Sequence, residues 1–238
     1  MQLPIFFSAQ AATLYEDLTL DEDTSRHVSQ VLRMRTGEQL QLTNGKGVLL
    51  TAALSTAHKK HSTVKITAVE QILPPAKKIR IGISLLKNAN RFEWFLEKAA
   101  ELGIHGIIPL ICERTERQHF RMDRMNAILV SAMLQSRQAW LTELSSPLQL
   151  DKLLNDAVHP QGTQKLIAHC MEDAGKKRLQ EAVDHPDDVL ILIGPEGDFT
   201  PAEVALALEH QFTPVSLGNT RLRTETAGVV AAVGLVVY

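Results

Sequence analysis

Apolar and polar residues alternate in short runs over the first third of the chain and fall into longer blocks after it. Gln39–Thr43, Val48–Leu54 and Ser62–Val69 each show the period of two that marks a half-buried strand. Asn44-Gly45, between the first two, is a tight-turn signal. Thr24–Arg33 reads as a short helix. These elements predict a small β-barrel with one helix over residues 1–72, and Leu73-Pro74-Pro75-Ala76 reads as a stiff linker.

From residue 77 the pattern changes to strand and helix in turn. Ile79–Leu86, Ile107–Cys112, Leu166–Cys170, Val189–Ile193 and Pro214–Leu217 read as strands. Asn90–Leu102, Met122–Leu141, Ala174–Val183, Pro201–Glu209 and Thr226–Val237 read as helices, with Gly103 as a C-cap glycine. Apolar strands alternating with helices predict a parallel sheet covered on both faces, hence an α/β domain over 77–238. The last helix is apolar nearly all round, the mark of a helix buried on every side. It packs between the sheet and a second subunit, or it is threaded into the core.

Composition narrows the class. The chain has 238 residues, 45% of them hydrophobic, and a net charge of −2. It is long enough to build its cores without staples. No run of about 18 apolar residues occurs, so no membrane span is expected. The opening MQLPIFFSAQ lacks a basic region before an apolar core, which argues against a secretory signal. Cys112 and Cys170 each sit in an apolar segment and read as buried free thiols of a reducing cytosol.

Charge is unevenly spread. Between Arg26 and Lys65 stand seven basic residues (Arg26, Arg33, Arg35, Lys46, Lys59, Lys60 and Lys65) against the single acidic Glu38. From Glu143 onward 7 basic residues face 14 acidic ones. The cationic first half points to a polyanionic partner, with Arg26, Arg33, Arg35, Lys59 and Lys60 as its candidate contacts.

The chemistry concentrates near the carboxyl end. Val189–Ile193 runs into Gly194-Pro195-Glu196-Gly197, and Thr200, Pro201 and Glu203 then spell an N-cap, a first helical proline and a capping box. A glycine-bearing loop between a central strand's carboxyl end and a helix start is where open α/β sheets bind ligands. A second such loop, LGNTRLRTETAG over 217–228, precedes the last helix and carries Arg221, Arg223 and Glu225. Dinucleotide and P-loop fingerprints are absent, as are a G-x-S-x-G elbow and any pattern of metal ligands.

GPEGDFTPAE followed by SLGNTRLRTETAGVVAAVG resembles the closing motifs of the SPOUT, or α/β-knot, methyltransferases. KNANRFEWFLEKAAELGIHGIIPLICERTER and HVSQVLRMRTGEQLQLTNGKG resemble one group within it, the bacterial 16S ribosomal RNA uridine N3-methyltransferases (RsmE-type). The likeness covers essentially the whole chain. It implies a PUA-like RNA-binding β-barrel over 1–72 and a SPOUT methyltransferase domain over 77–238 with a carboxyl-terminal trefoil knot. It also implies S-adenosylmethionine as cofactor, a cytoplasmic homodimer, and the small ribosomal subunit as partner.

Carried over residue by residue, the cofactor pocket comprises Gly194, Glu196 and Gly197 from the first loop. Leu217, Gly218, Leu222, Arg223 and Thr224 come from the second, and His169 and Glu172 from the turn after Leu166–Cys170. The family's Gly-Gly after Pro-Glu is Gly197-Asp198 here. Its Arg before the first aromatic pair is missing from Ile5-Phe6-Phe7, and its Glu-Gln-Ser is replaced in Leu134-Gln135-Ser136-Arg137.

Uracil N3 is a poor nucleophile until its proton leaves. A carboxylate can remove that proton, and an arginine can stabilise the anion on the uracil oxygens. Arg223 is the candidate for the second task, Glu225 or Glu101 for the first. Glu101 also reads as an ion-paired helix-face residue, and Glu225 as a cap of the last helix. Two other readings stay open on the residues: a ribose 2′-O-methyltransferase acting on transfer RNA, and a ribosome-binding module with an inactive pocket.

Overall fold

In the computed structural model, residues 2–10, 12–116, 119–156, 160, 162–172, 175–184 and 188–237 are described. They form two units: Met1–Pro74 with Met133–Leu141, and Pro75–Ala132 with Thr142–Tyr238.

The first unit is a five-stranded sheet. Its strands are β1 (Ile5–Phe7), β2 (Asp17–Thr19), β3 (Gln39–Thr43), β4 (Val48–Thr56) and β5 (Thr63–Gln71), in the order β1-β3-β4-β5-β2. Only β1 and β3 pair in parallel. Breaks in register between Thr51 and Ala52 and between Leu54 and Thr56 bend the β4–β5 pairing, as bulges do. Alternation sends Leu40, Leu42, Leu50, Ala52, Leu54, Val64 and Ile66 into one core. The predicted helix is two pieces: α1 (Glu22–Arg26), capped by Asp21, and a π-helical turn over His27–Val31. The three predicted strands are present, whereas β1 and β2 are too short to give a periodic signal.

The second unit is a seven-strand parallel path covered on both faces. It contains β6 (Lys78–Ser84), α2 (Ala89–Glu101), β7 (Gly106–Ile111), α3 (Met122–Gln135) as far as Ala132, β8 (Glu143–Leu144) and β9 (Leu148–Gln149). Then come α4 (Leu150–Asp156), β10 (Gln164–Ala168), β11 (Lys177–Arg178), α5 (Leu179–Ala182) and β12 (Asp188–Ile193). The chain closes with α6 (Pro201–Glu209), β13 (Thr213–Ser216) and α7 (Thr224–Val237). The strand order is β11-β13-β10-β12-β6-β7-β8, with β9 also on β7, and every pairing is parallel. The molecule is thus an α/β protein: a parallel sheet covered by helices, preceded by a small, mostly antiparallel β unit.

Central β12 is buried along Val189–Ile193, as a strand covered on both faces must be. Its Leu190 and Leu192 pack with Leu153, Phe199 and Val204 beneath α4 and α6. On the other face, α7 packs against α2, β6 and β12. The chain therefore returns from β13, near one edge, to the middle of the sheet.

Three expectations change. The long helix ends at Gln135 instead of Leu141, because Arg137 takes a left-handed φ of 58° and Lys46 bridges to Trp140. Ala174, where a helix was expected to begin, lies outside the described residues; Lys177–Arg178 is a strand, and only Leu179–Ala182 is helical. Cys170 is exposed, whereas Cys112 is buried as expected.

Candidate active site

β10, β12 and β13 lie side by side and point the same way, so their carboxyl ends open on one edge of the sheet. A cavity of ≈ 550 Å³ sits there, within the usual range for small-molecule sites. Its walls are the two loops singled out in the sequence together with residues 168–170. Ile193, Val215, Leu217, Leu222 and Ala227 give an apolar lining, and Lys176, Glu196, Asp198, Arg221 and Arg223 bring charge.

Of the ten cofactor candidates, His169, Gly194, Glu196, Leu217, Gly218, Leu222, Arg223 and Thr224 line this cavity; Glu172 and Gly197 do not. Gly197 instead packs against Arg114, whose guanidinium donates to the Gly197 carbonyl at 2.6 Å. A Cβ at Gly194 would lie 3.0 Å from the buried Phe199 ring, so the loop passes closely over that side chain. Gly218 has φ +145° and open space where a Cβ would stand, so its bare backbone faces room for a ligand. The turn there is closed by Ser216, whose Oγ accepts from the Gly218 N–H at 3.3 Å.

The first loop is braced from several elements. Its helix start is the predicted capping box: Glu203 N–H donates to Thr200 Oγ1 at 3.2 Å, and Thr200 N–H donates to Glu203 Oε2 at 2.8 Å. Glu196 Oε1 accepts from the Lys87 N–H at 3.3 Å, which ties the loop to the segment after β6. Asp198 takes φ 64°, a left-handed conformation that Asp tolerates better than most side chains.

The three catalytic candidates part company. Arg223 lines the cavity beside the amino end of α7, whose free N–H groups add positive potential. Glu225 is 7% exposed, with Oε1 3.7 Å from Arg91 Nε and Oε2 lacking a hydrogen-bond partner among the described residues. Glu101 is not brought to the cavity. It ends α2, and 13 helical residues rising about 1.5 Å each carry it away from the strand ends. Its carboxylate meets Lys98 at 3.0 Å, the ordinary helix-face pairing.

Sequence reasoning missed Arg91, Arg114, Cys170 and Lys176, which reach these loops from positions remote in the chain and carry no local signature. Among the described residues, no group of three His, Cys, Asp or Glu side chains is placed to hold a metal ion.

On the first unit all five candidate RNA contacts are exposed. Two are neutralised locally: Arg26 pairs with Asp23, and Lys60 Nζ lies 3.5 Å from Glu22. Arg33, Arg35 and Lys59 form no ion pair among the described residues.

The sequence profile of the RNA methyltransferase domain family matches residues 74–236. The chain belongs to that RNA methyltransferase family. The profile of its companion, the RNA methyltransferase PUA domain, matches residues 20–67. Among curated relatives of this RNA methyltransferase, the ribosomal RNA small subunit methyltransferase E of Synechocystis is 27% identical over 90% of this chain and 71% of its own length. That of Mycobacterium bovis is 28% identical over 91% and 85%.

Among solved structures, a Porphyromonas gingivalis protein described as an rRNA methyltransferase superposes with a TM-score of 0.89 at 37% identity, covering 97% of this chain and 95% of its own. A Legionella pneumophila protein described as a methyltransferase, solved with bound S-adenosylmethionine, gives 0.86 at 33% identity over 98% and 96%.

Proposed function

We propose that the protein transfers a methyl group from S-adenosylmethionine to N3 of a uridine in 16S ribosomal RNA of the small subunit. The observation that carries this reading is the meeting of the 194–199 and 217–224 loops around one cavity, with Arg223 on its wall. The relatives named above supply the substrate class. S-adenosylmethionine supplies an activated methyl on a sulfonium. The residues present suit it: an apolar lining for the adenine and ribose, bare backbone at Gly194 and Gly218 for close hydrogen bonds, and charges of both signs for a zwitterionic methionine end.

Arg223 stabilises negative charge on the uracil oxygens as N3 loses its proton to water. Glu225 is buried against Arg91, so α2 fixes where this carboxylate sits. A target on the Watson–Crick edge must be unpaired when it reacts. Arg33, Arg35 and Lys59 on the first unit hold the RNA backbone, so affinity falls steeply with salt.

The protein works as a homodimer in the cytoplasm, where ribosomal subunits are made. The dimer reading rests on Val233, Val236 and Val237 of α7, which are 39%, 43% and 64% exposed and fall on one helical face. Among the described residues, no helix is long and apolar enough to cross a membrane.

The test is transfer of labelled methyl from S-adenosylmethionine to unmodified small ribosomal subunits, followed by nucleoside analysis. A 3-methyluridine product is expected. A methylated ribose, or no transfer, would overturn the N3 assignment.

A further inference from the structure

The segment that follows β10 forms one wall of the cavity. β10 ends at Ala168, and His169 and Cys170 follow it directly. The peptide group joining His169 to Cys170 is nevertheless held at both ends. Its N–H, on Cys170, donates to Asp198 Oδ2 at 2.8 Å. Its carbonyl, on His169, accepts from Lys176 Nζ at 2.7 Å, and the same ammonium reaches the Met171 carbonyl at 2.6 Å. Each sign is matched: the anion takes the donor and the cation takes the acceptors, the stronger class of hydrogen bond.

Asp198 accepts a backbone cost for this. Its φ of 64° is one that glycine adopts freely, yet glycine has no carboxylate to reach Cys170. The same side chain closes its own loop, since Phe199 N–H donates to Oδ1 at 2.9 Å. Asp198 and Lys176 both line the cavity, as do His169 and Cys170.

We infer that Asp198 and Lys176 are positioning residues that clamp the His169–Cys170 peptide and so hold the cofactor cavity in its binding shape. This rests on the reading of the cavity as an S-adenosylmethionine site. The clamp couples the 194–199 loop to the end of β10 just beyond their last paired residues, Ala168 and Ile193.

The experiment reads hydrogen exchange at the Cys170 amide in the ligand-free protein and, separately, calorimetric binding of S-adenosylmethionine. Asp198→Gly should speed exchange at Cys170 and weaken cofactor binding, each by about tenfold, the scale of one lost charge-assisted bond. Turnover at saturating cofactor should change far less than KM for the cofactor. Asp198→Asn keeps an acceptor for Cys170 and should recover most of the loss. Lys176→Met frees the same peptide from its other end without altering the 194–199 loop, so it serves where Asp198→Gly fails to fold. Wild-type exchange at Cys170 in both variants would overturn the clamp. Faster exchange with unchanged affinity would overturn its role in binding. Failure of the unaltered protein to bind S-adenosylmethionine would overturn the functional reading and with it the cofactor role, while the exchange rates still decide the clamp.

Discussion

Arg223 carries the sharpest expectation at the scale of single residues. It lines the cavity from the last position before α7, where neighbouring N–H groups of the helix start reinforce its charge. Removing it as Arg223→Ala should lower kcat by about 10²–10³, the range for losing one preorganised charge stabiliser. Affinity for S-adenosylmethionine, measured by calorimetry, should stay within a few-fold. Near-normal turnover would remove Arg223 from the chemistry. The two cysteines give an independent check. Burial pushes the Cys112 thiol up to about 12, whereas Cys170 is exposed on the cavity wall. Only the thiolate alkylates, so iodoacetamide at mildly alkaline pH should label Cys170 and spare Cys112 in the native protein. Mass spectrometry should find that label slowed by S-adenosylmethionine. Both cysteines sit in apolar runs, so hydropathy could not tell them apart; the strand ends at Ala168, and only the fold reveals that Cys170 lies beyond it.

At the scale of elements, α6 shows how much a local code can carry. Thr200, Pro201 and Glu203 announce its start, and each behaves as its chemistry requires. Glu203 has a further task that no local code reveals: Oε1 accepts from the Glu113 N–H at 2.8 Å, tying the α6 start to the end of β7. Thr200→Ala should cost about 1 kcal/mol through loss of the cap, or roughly 2–4 °C in melting temperature for a domain of this size. Calorimetric scanning would read it, and an unchanged transition would show that Glu203 alone holds this turn. β12, α2, α6 and α7 were legible because each has a strong period or a clean cap. β1, β2, β8, β9 and β11 were not, since two or three residues hold no period and owe their conformation to the strand beside them. The π-helical turn at His27–Val31 has a composition that does not separate it from plain helix.

For the whole molecule, α7 decides most. Its inward face, Gly228, Ala231, Ala232 and Leu235, is buried by its own chain, and Gly228 has a Cβ position only 2.5 Å from the Phe95 ring. Its outward valines are not covered in this way. A Val233→Asp, Val236→Asp double variant should convert a dimer into a monomer in light scattering, with the circular dichroism spectrum retained. A wild type that scatters as a monomer would end the dimer reading. Sequence alone determined the α/β class, the two loops that wall the cavity and the family resemblance, because these rest on periods, caps and motifs written in consecutive residues. It also made α7 stand out as a helix without a polar face. Tertiary structure decided the rest. It brought residues 168–170 and Lys176 against the two loops, left Glu101 at the wrong end of its helix, paired Glu225 with Arg91, and joined Met133–Leu141 to the first unit. Those outcomes depend on which strand lies beside which and on where each helix ends. Parallel crossovers set such neighbours between segments far apart in the chain, where no local pattern records them.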